Sequence, residues 1–197
     1  MVKIAVILGS SRENSIGKRL IKYIEGVAKN QDNIEFSFLK LSDYQLTFFH
    51  EKLAPMQNEN RQLPENEARW IADVATADGF IILTPEYNHA IPAVLKNAID
   101  YLAFEGQRKP VKIMGYSDNM RGAQFATAEL VPILNRLGFI TLPAPTLLGI
   151  VDQIFTEDGQ LIDDAKLADY TKNKIAQTLQ EIKFYTQLFV NNPFPGK

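Results

Sequence analysis

The sequence predicts an α/β protein, a doubly wound parallel sheet of five strands with helices on both faces. Three observations carry that reading. Residues 4–8 (Ile-Ala-Val-Ile-Leu) are an unbroken apolar run, the pattern of a strand buried on both faces, and the run stops at Gly9. From Ile16 onward Leu20, Ile24, Val27 and Ala28 recur at helical spacing, so strand, polar loop and helix follow one another in a short stretch. The unit then repeats. Residues 80–83 are a second apolar run, 84–92 a polar loop, and Val94, Leu95, Ala98, Ile99 and Leu102 a second helical pattern opened by Pro92. Right-handed crossovers between such units build a parallel sheet covered on both sides.

The remaining elements fit between these units. Residues 34–39 alternate through Ile34, Phe36 and Phe38 as a strand. The connection over 41–65 is long for a compact domain; its Phe48-Phe49 pair is expected to seal the core, with a lid role secondary. A helix over 65–77 carries Trp70, Ile71, Val74 and Ala75 and ends before Asp78-Gly79. Residues 111–115 form the fourth strand, 123–137 a helix closed by Gly138, and 139–148 the last strand region. Asp158-Gly159 marks a turn, and a long helix runs from Asp163-Asp164 towards Val190. Neither a repeat nor a linker divides the chain, so 1–197 is expected to be one domain.

Composition narrows the function. The chain has 197 residues, 46% apolar and 22% charged, with a net charge of −2, which argues against a nucleic-acid partner. Without cysteine there is neither a disulfide framework nor a thiolate centre, and His50 and His89 alone suggest no metal cluster. The first residues lack a signal-peptide pattern, and no apolar run nears the roughly 18 residues a membrane span needs. A cytoplasmic protein without a membrane partner is expected.

The loop over 9–17 is the main candidate site. It places backbone N–H groups at a helix N-terminus, with Ser10, Ser15 and the guanidinium of Arg12 as further donors for an anion. The alternative is an ordinary strand-to-helix turn with Ser15 as its cap. Residues 9–14 lack the glycines of a dinucleotide fingerprint, Gly17-Lys18 is followed by Arg19 rather than Ser or Thr, and a thiolate phosphatase loop needs a cysteine. Flavin mononucleotide (FMN) suits what remains, a hydroxyl-rich loop for a single terminal phosphate. The loops over 84–92 and 116–122 also follow strand ends, so all three can converge on one ligand.

Residues 83–101 (Leu-Thr-Pro-Glu-Tyr-Asn-His-Ala-Ile-Pro-Ala-Val-Leu-Lys-Asn-Ala-Ile-Asp-Tyr), with Gly9, Ser10, Ser11, Arg12 and Ser15, resemble the NADPH-dependent FMN reductase family. That family has a flavodoxin-like fold and includes quinone, chromate and azo-dye reductases. The resemblance implies strand order 2-1-3-4-5. It also implies an FMN phosphate among Ser10, Arg12, Ser15, Ile16 and Gly17, and a flavin ring and ribityl chain along Pro85, Glu86, Tyr87 and Asn88. In the third loop Gly115, Ser117 and Gly122 fit the family pattern, while Asn119 and Ala123 replace glycines. Asn119 tolerates a left-handed backbone, and Ala123 is expected to narrow the approach to the ring.

Each assignment has a structural rival. Tyr87 could be a core aromatic, Glu86 could balance a cation, and a capping or interface role is expected for His89. Lys96, Asn97 and Asp100 could be a solvated face or a dimer contact. The function expected is an FMN-dependent NAD(P)H oxidoreductase delivering two electrons to quinones, azo compounds or free flavin in a ping-pong scheme. The alternatives are a flavodoxin-like electron carrier and a flavin-binding sensor module. A homodimer or homotetramer is expected, because the helix after Pro92 carries Val94, Leu95, Ala98, Ile99, Tyr101, Leu102 and Phe104, more apolar surface than one sheet face covers.

Overall fold

The structure, a computed structural model, describes residues 1–29, 33–58 and 60–196; Glu59 of the long connection and Lys197 of the expected domain lie outside them. Strand β1 (Val2–Leu8) leads into helix α1 (Gly17–Ala28), and β2 (Ile34–Lys40) into the connection and α2 (Glu65–Thr76). Strand β3 (Gly79–Thr84) precedes α3 (Ala93–Asp100), and β4 (Pro110–Tyr116) precedes α4 (Gln124–Arg136). Then come β5 (Ile140–Thr141), β6 (Thr146–Leu148), α5 (Val151–Ile154) and α6 (Ala168–Asn191).

All pairings in the sheet are parallel, in the order β2-β1-β3-β4-β5, with β6 also on β4. Ile4 stands opposite Phe36 on one side and Gly79 on the other, so β1 is central. Because side chains alternate along a strand, β1 feeds two cores. Ala5 and Ile7 pack with Trp70, Leu95 and Leu130 of α2, α3 and α4. Ile4, Val6 and Leu8 pack with Leu20, Ile24, Ile175 and Leu179 of α1 and α6. This two-sided burial is why β1 and β3 read as continuous apolar runs and β4 as one broken only by Lys112.

The expected fifth strand over 139–148 is broken in two. Pro143 and Pro145 lie between β5 and β6, and proline has no N–H for the ladder. Lys112 of β4, only 3% exposed, bridges the gap: its ammonium donates to Pro143 O at 2.8 Å and to Glu181 of α6 at 2.6 Å. The last helix starts at Ala168 rather than near 163, after Leu167 takes a left-handed conformation with φ of 70°.

The connection over 41–65 is strapped to α3. Asn97 receives the Phe49 N–H at 2.8 Å and donates to Thr47 O at 2.7 Å. The Thr47 and Tyr101 hydroxyls both donate to the buried Glu67 carboxylate, at 2.7 and 2.8 Å. Phe49 packs edge-on against Tyr101, the sealing role expected of the pair, while Phe48 is 80% exposed. Helix α3 is therefore covered by its own chain: Leu95, Ala98, Ile99, Tyr101 and Leu102 are buried and Phe104 is exposed. The apolar excess inferred from its sequence is largely met within the single chain.

Candidate functional site

A cleft of about 300 Å³ lies beyond the carboxyl ends of β1, β3 and β4. Of the residues singled out in the sequence, Arg12, Ser15, Ile16, Pro85, Glu86, Tyr87, Ser117 and Asn119 line it. Ser10, Gly17 and Gly122 are buried just behind this lining, and Asn88 is exposed outside it. Ala123, expected beside the ring, lines it as well, and so do Asn14, Tyr116, Asp118 and Arg121, which were not anticipated as site residues.

The first loop forms the closed end. Ser15 Oγ accepts the N–H of Gly17, the first residue of α1, at 3.2 Å, although the N-cap itself is Ile16 rather than the expected Ser15. It also meets the Tyr116 hydroxyl at 3.3 Å. Ser10 Oγ lies 3.0 Å from the Tyr87 hydroxyl and accepts the Arg12 N–H at 3.4 Å. The N–H groups of Ser11, Glu13, Asn14 and Ile16 meet no acceptor among the described residues. The guanidinium of Arg12 stands 5.9 Å from the Tyr87 ring centre. This end of the cleft offers backbone N–H groups, serine hydroxyls and a guanidinium, donors of the kind an anion requires. Burial pushes the Tyr116 hydroxyl far above the ordinary phenol range, so it stays protonated.

The second loop is a two-residue hairpin turn. Tyr87 and Ala90 exchange both backbone hydrogen bonds, at 2.9 and 3.0 Å, around Asn88 and His89 with φ of 51° and 66°. Glu86 accepts the N–H groups of Phe125 and Ala126 at 2.8 and 3.2 Å, so its carboxylate caps α4 instead of balancing a side-chain cation. From the same helix Glu129 accepts the Ile91 N–H at 2.7 Å. The turn is thus held to α4 at both ends. His89 caps no helix; its ring stacks on Phe125 with centroids 4.5 Å apart.

The third loop is knitted by its own side chains. Ser117 Oγ donates to Asn119 O at 2.7 Å and accepts the Gly122 N–H at 3.0 Å, while Asn119 Oδ1 accepts the Arg121 N–H at 2.9 Å. The left-handed backbone falls not on Asn119 but on Gly122 and Ala123, with φ of 62° and 60°. Gly122 is required there, since a β-carbon would press on the backbone of Leu147 and Leu148. Ala123, 1% exposed, lines the cleft.

A parallel sheet of this order, with a cleft beyond its strand ends at the switch between β1 and β3, defines the flavodoxin-like class of α/β proteins. The chain belongs to the NADPH-dependent FMN reductase family, whose model matches residues 2–150. It is 28% identical over 201 residues to an NAD(P)H-dependent FMN reductase of Schizosaccharomyces pombe, spanning 97% of this chain and 92% of that protein. It is 30% identical over 151 residues to a 2-hydroxy-1,4-benzoquinone reductase of a Burkholderia species, across 74% of this chain and 77% of that one. Among solved structures, FerB, a flavoenzyme NAD(P)H:(acceptor) oxidoreductase of Paracoccus denitrificans, superposes with a TM-score of 0.73 at 24% identity, covering 94% of this chain and 99% of that one. The chain is accordingly an oxidoreductase that uses FMN and NAD(P)H. No helix among the described residues is long and apolar enough to cross a membrane.

Proposed function

We propose that the cleft takes FMN with its phosphate in the 10–17 loop, and that NAD(P)H and a small planar acceptor use one open face in turn. The observation that carries this reading is the asymmetry of the cleft. One end carries the Arg12 guanidinium, serine hydroxyls and unpartnered N–H groups, while the third loop, residues 117–124, contributes no aromatic side chain that could cover a ring. Phe125, the next residue, stacks on His89 outside the lining.

The donor set fits the phosphate of FMN. Ser10, Ser15, Arg12 and the unpartnered N–H groups would hold it; Pro85, Glu86 and Tyr87 would border the ribityl chain and ring, with Asn88 at the rim. Ser117, Asn119 and Gly122 would shape the far side. Bound FMN supplies the redox chemistry, accepting a hydride from the nicotinamide and yielding two electrons to the acceptor. The chain's residues orient, exclude water and donate hydrogen bonds; no nucleophile is needed.

Quinones, azo compounds and free flavins are the acceptors proposed, the first supported by the similarity to a benzoquinone reductase. A cytoplasmic homodimer or homotetramer is the proposed assembly. The exposed Phe48, Leu53 and Phe104 around α3 and the connection support association there. Light scattering at micromolar concentration tests this: a monomer refutes it. The kinetic scheme is tested by initial rates against NAD(P)H at several fixed quinone concentrations. Parallel double-reciprocal lines are expected; intersecting lines would show both substrates bound together.

A further inference from the structure

Two serines of the phosphate loop each meet a tyrosine from the end of a different strand. The Tyr116 hydroxyl closes β4 and reaches Ser15 at 3.3 Å; the Tyr87 hydroxyl, just beyond β3, reaches Ser10 at 3.0 Å. A serine hydroxyl has one proton and two acceptor lone pairs. One pair on each serine is already taken by a backbone N–H, that of Gly17 on Ser15 and that of Arg12 on Ser10. The direction of the tyrosine bond then decides where the serine proton points.

Two arguments set that direction. A phenol is more acidic than an aliphatic alcohol, so it is the better donor and the poorer acceptor. Burial adds the second: Tyr116 is 0% exposed, and its hydroxyl meets Ser15 at 3.3 Å with Ser10 as its other hydroxyl neighbour. If Ser15 donated to Tyr116, the phenol proton would be left with Ser10, whose oxygen the Arg12 N–H and the Tyr87 hydroxyl already occupy, which is costly. With the tyrosines donating, both lone pairs of each serine are filled. Each serine proton is then free of its tyrosine and available to an acceptor held by the loop.

We propose that Tyr116 and Tyr87 are positioning residues that lock Ser15 and Ser10 as donors, making the loop selective for a ligand ending in a phosphomonoester. The proposal rests on the reading of residues 10–17 as the FMN phosphate site. A cradle in which every hydroxyl is committed to donating favours a terminal group that only accepts. Riboflavin, which ends in a neutral hydroxyl with one acceptor oxygen, gains little from it.

The test titrates ligand-free protein with FMN and with riboflavin, following quenching of flavin fluorescence. Tyr116→Phe keeps the ring and removes the proton; it should weaken FMN binding by about threefold to tenfold and leave riboflavin binding unchanged. In a Ser15→Ala background the same change should not alter the FMN-to-riboflavin ratio further. Tyr87→Phe with Ser10→Ala repeats the cycle at a less buried position, should Tyr116→Phe fail to fold. Equal weakening of both ligands, an unchanged ratio, or additive effects in both cycles would overturn the proposal while leaving the phosphate site standing. A wild-type protein with no preference for FMN over riboflavin would overturn the site reading itself, and the proposal with it.

Discussion

A β-carbon on Gly17 would collide with the phenolic oxygen of Tyr116. The first turn of α1 and the end of β4 approach so closely that this contact, rather than any special backbone angle, demands glycine. Gly17→Ala should therefore lower stability by about 1–3 kcal/mol, as overpacking does. Gly26, in the same helix, faces open space: a β-carbon there would have nothing within 4 Å, and Gly26→Ala should raise stability by about 0.4–1 kcal/mol. Urea unfolding of the two variants gives the comparison; equal midpoints would refute the contact.

Arg12 is the one guanidinium of the phosphate loop, exposed and near the Tyr87 ring. Its removal should delete a charge-assisted contact and weaken FMN binding by about 1.5–3 kcal/mol. Titration of ligand-free Arg12→Ala measures it, and an affinity equal to wild type would exclude the arginine from the site.

Asn97 holds the connection by two backbone hydrogen bonds, to Thr47 and Phe49. Asn97→Ala should cost about 1–3 kcal/mol by leaving those groups unpaired. Hydrogen exchange should accelerate at Phe49 before it does in the sheet. Unchanged protection there would mean that the bonds of Thr47 and Tyr101 to Glu67 suffice to hold the strap.

Burial is the first cause raising the Tyr44, Tyr101 and Tyr116 hydroxyls, with the hydrogen bond to Asp73 next for Tyr44. In the unfolded chain these phenols titrate near pH 10, whereas the folded state keeps its protons to higher pH. Stability from them is complete below about pH 10 and declines as pH rises above it. Burial lowers the Lys109 ammonium, which acts oppositely: there the unfolded chain holds the extra proton, and stability rises with pH up to its ordinary value of 10.5. With Tyr23, whose hydroxyl burial also raises, four phenols stand against one amine, so alkaline unfolding is expected. In an alkaline titration the last tyrosinate absorbance should appear together with loss of circular dichroism. Ionisation of all seven tyrosines in an intact fold would contradict this.

How much of this is legible in the sequence depends on distance along the chain. Strands β1 and β3 announce themselves because both faces are buried, and Ser10, Arg12 and Ser15 because their types suit an anion. The role of Tyr116 is invisible there, since it depends on a partner 101 residues away, and Glu86 reaches α4 across 39 and 40 residues. The four-residue α5 is too short to show a period, and the left-handed backbone at Ala123 carries no signal in its side chain. The split of the fifth strand does have a local signal, in Pro143 and Pro145, which the apolar pattern around them masks. The self-covered face of α3 needs the fold, because no local pattern tells which part of a chain will lie over a helix.

The central claim, that this chain is an FMN-dependent NAD(P)H oxidoreductase acting on small acceptors, is tested most directly by steady-state consumption of NAD(P)H. The assay pairs protein loaded with FMN against the ligand-free chain, with the quinone menadione as acceptor. Sustained consumption through many turnovers, absent without FMN and far above that of free FMN alone, is the result predicted. A loaded protein no faster than free FMN would contradict the account and point to a carrier or a binding module.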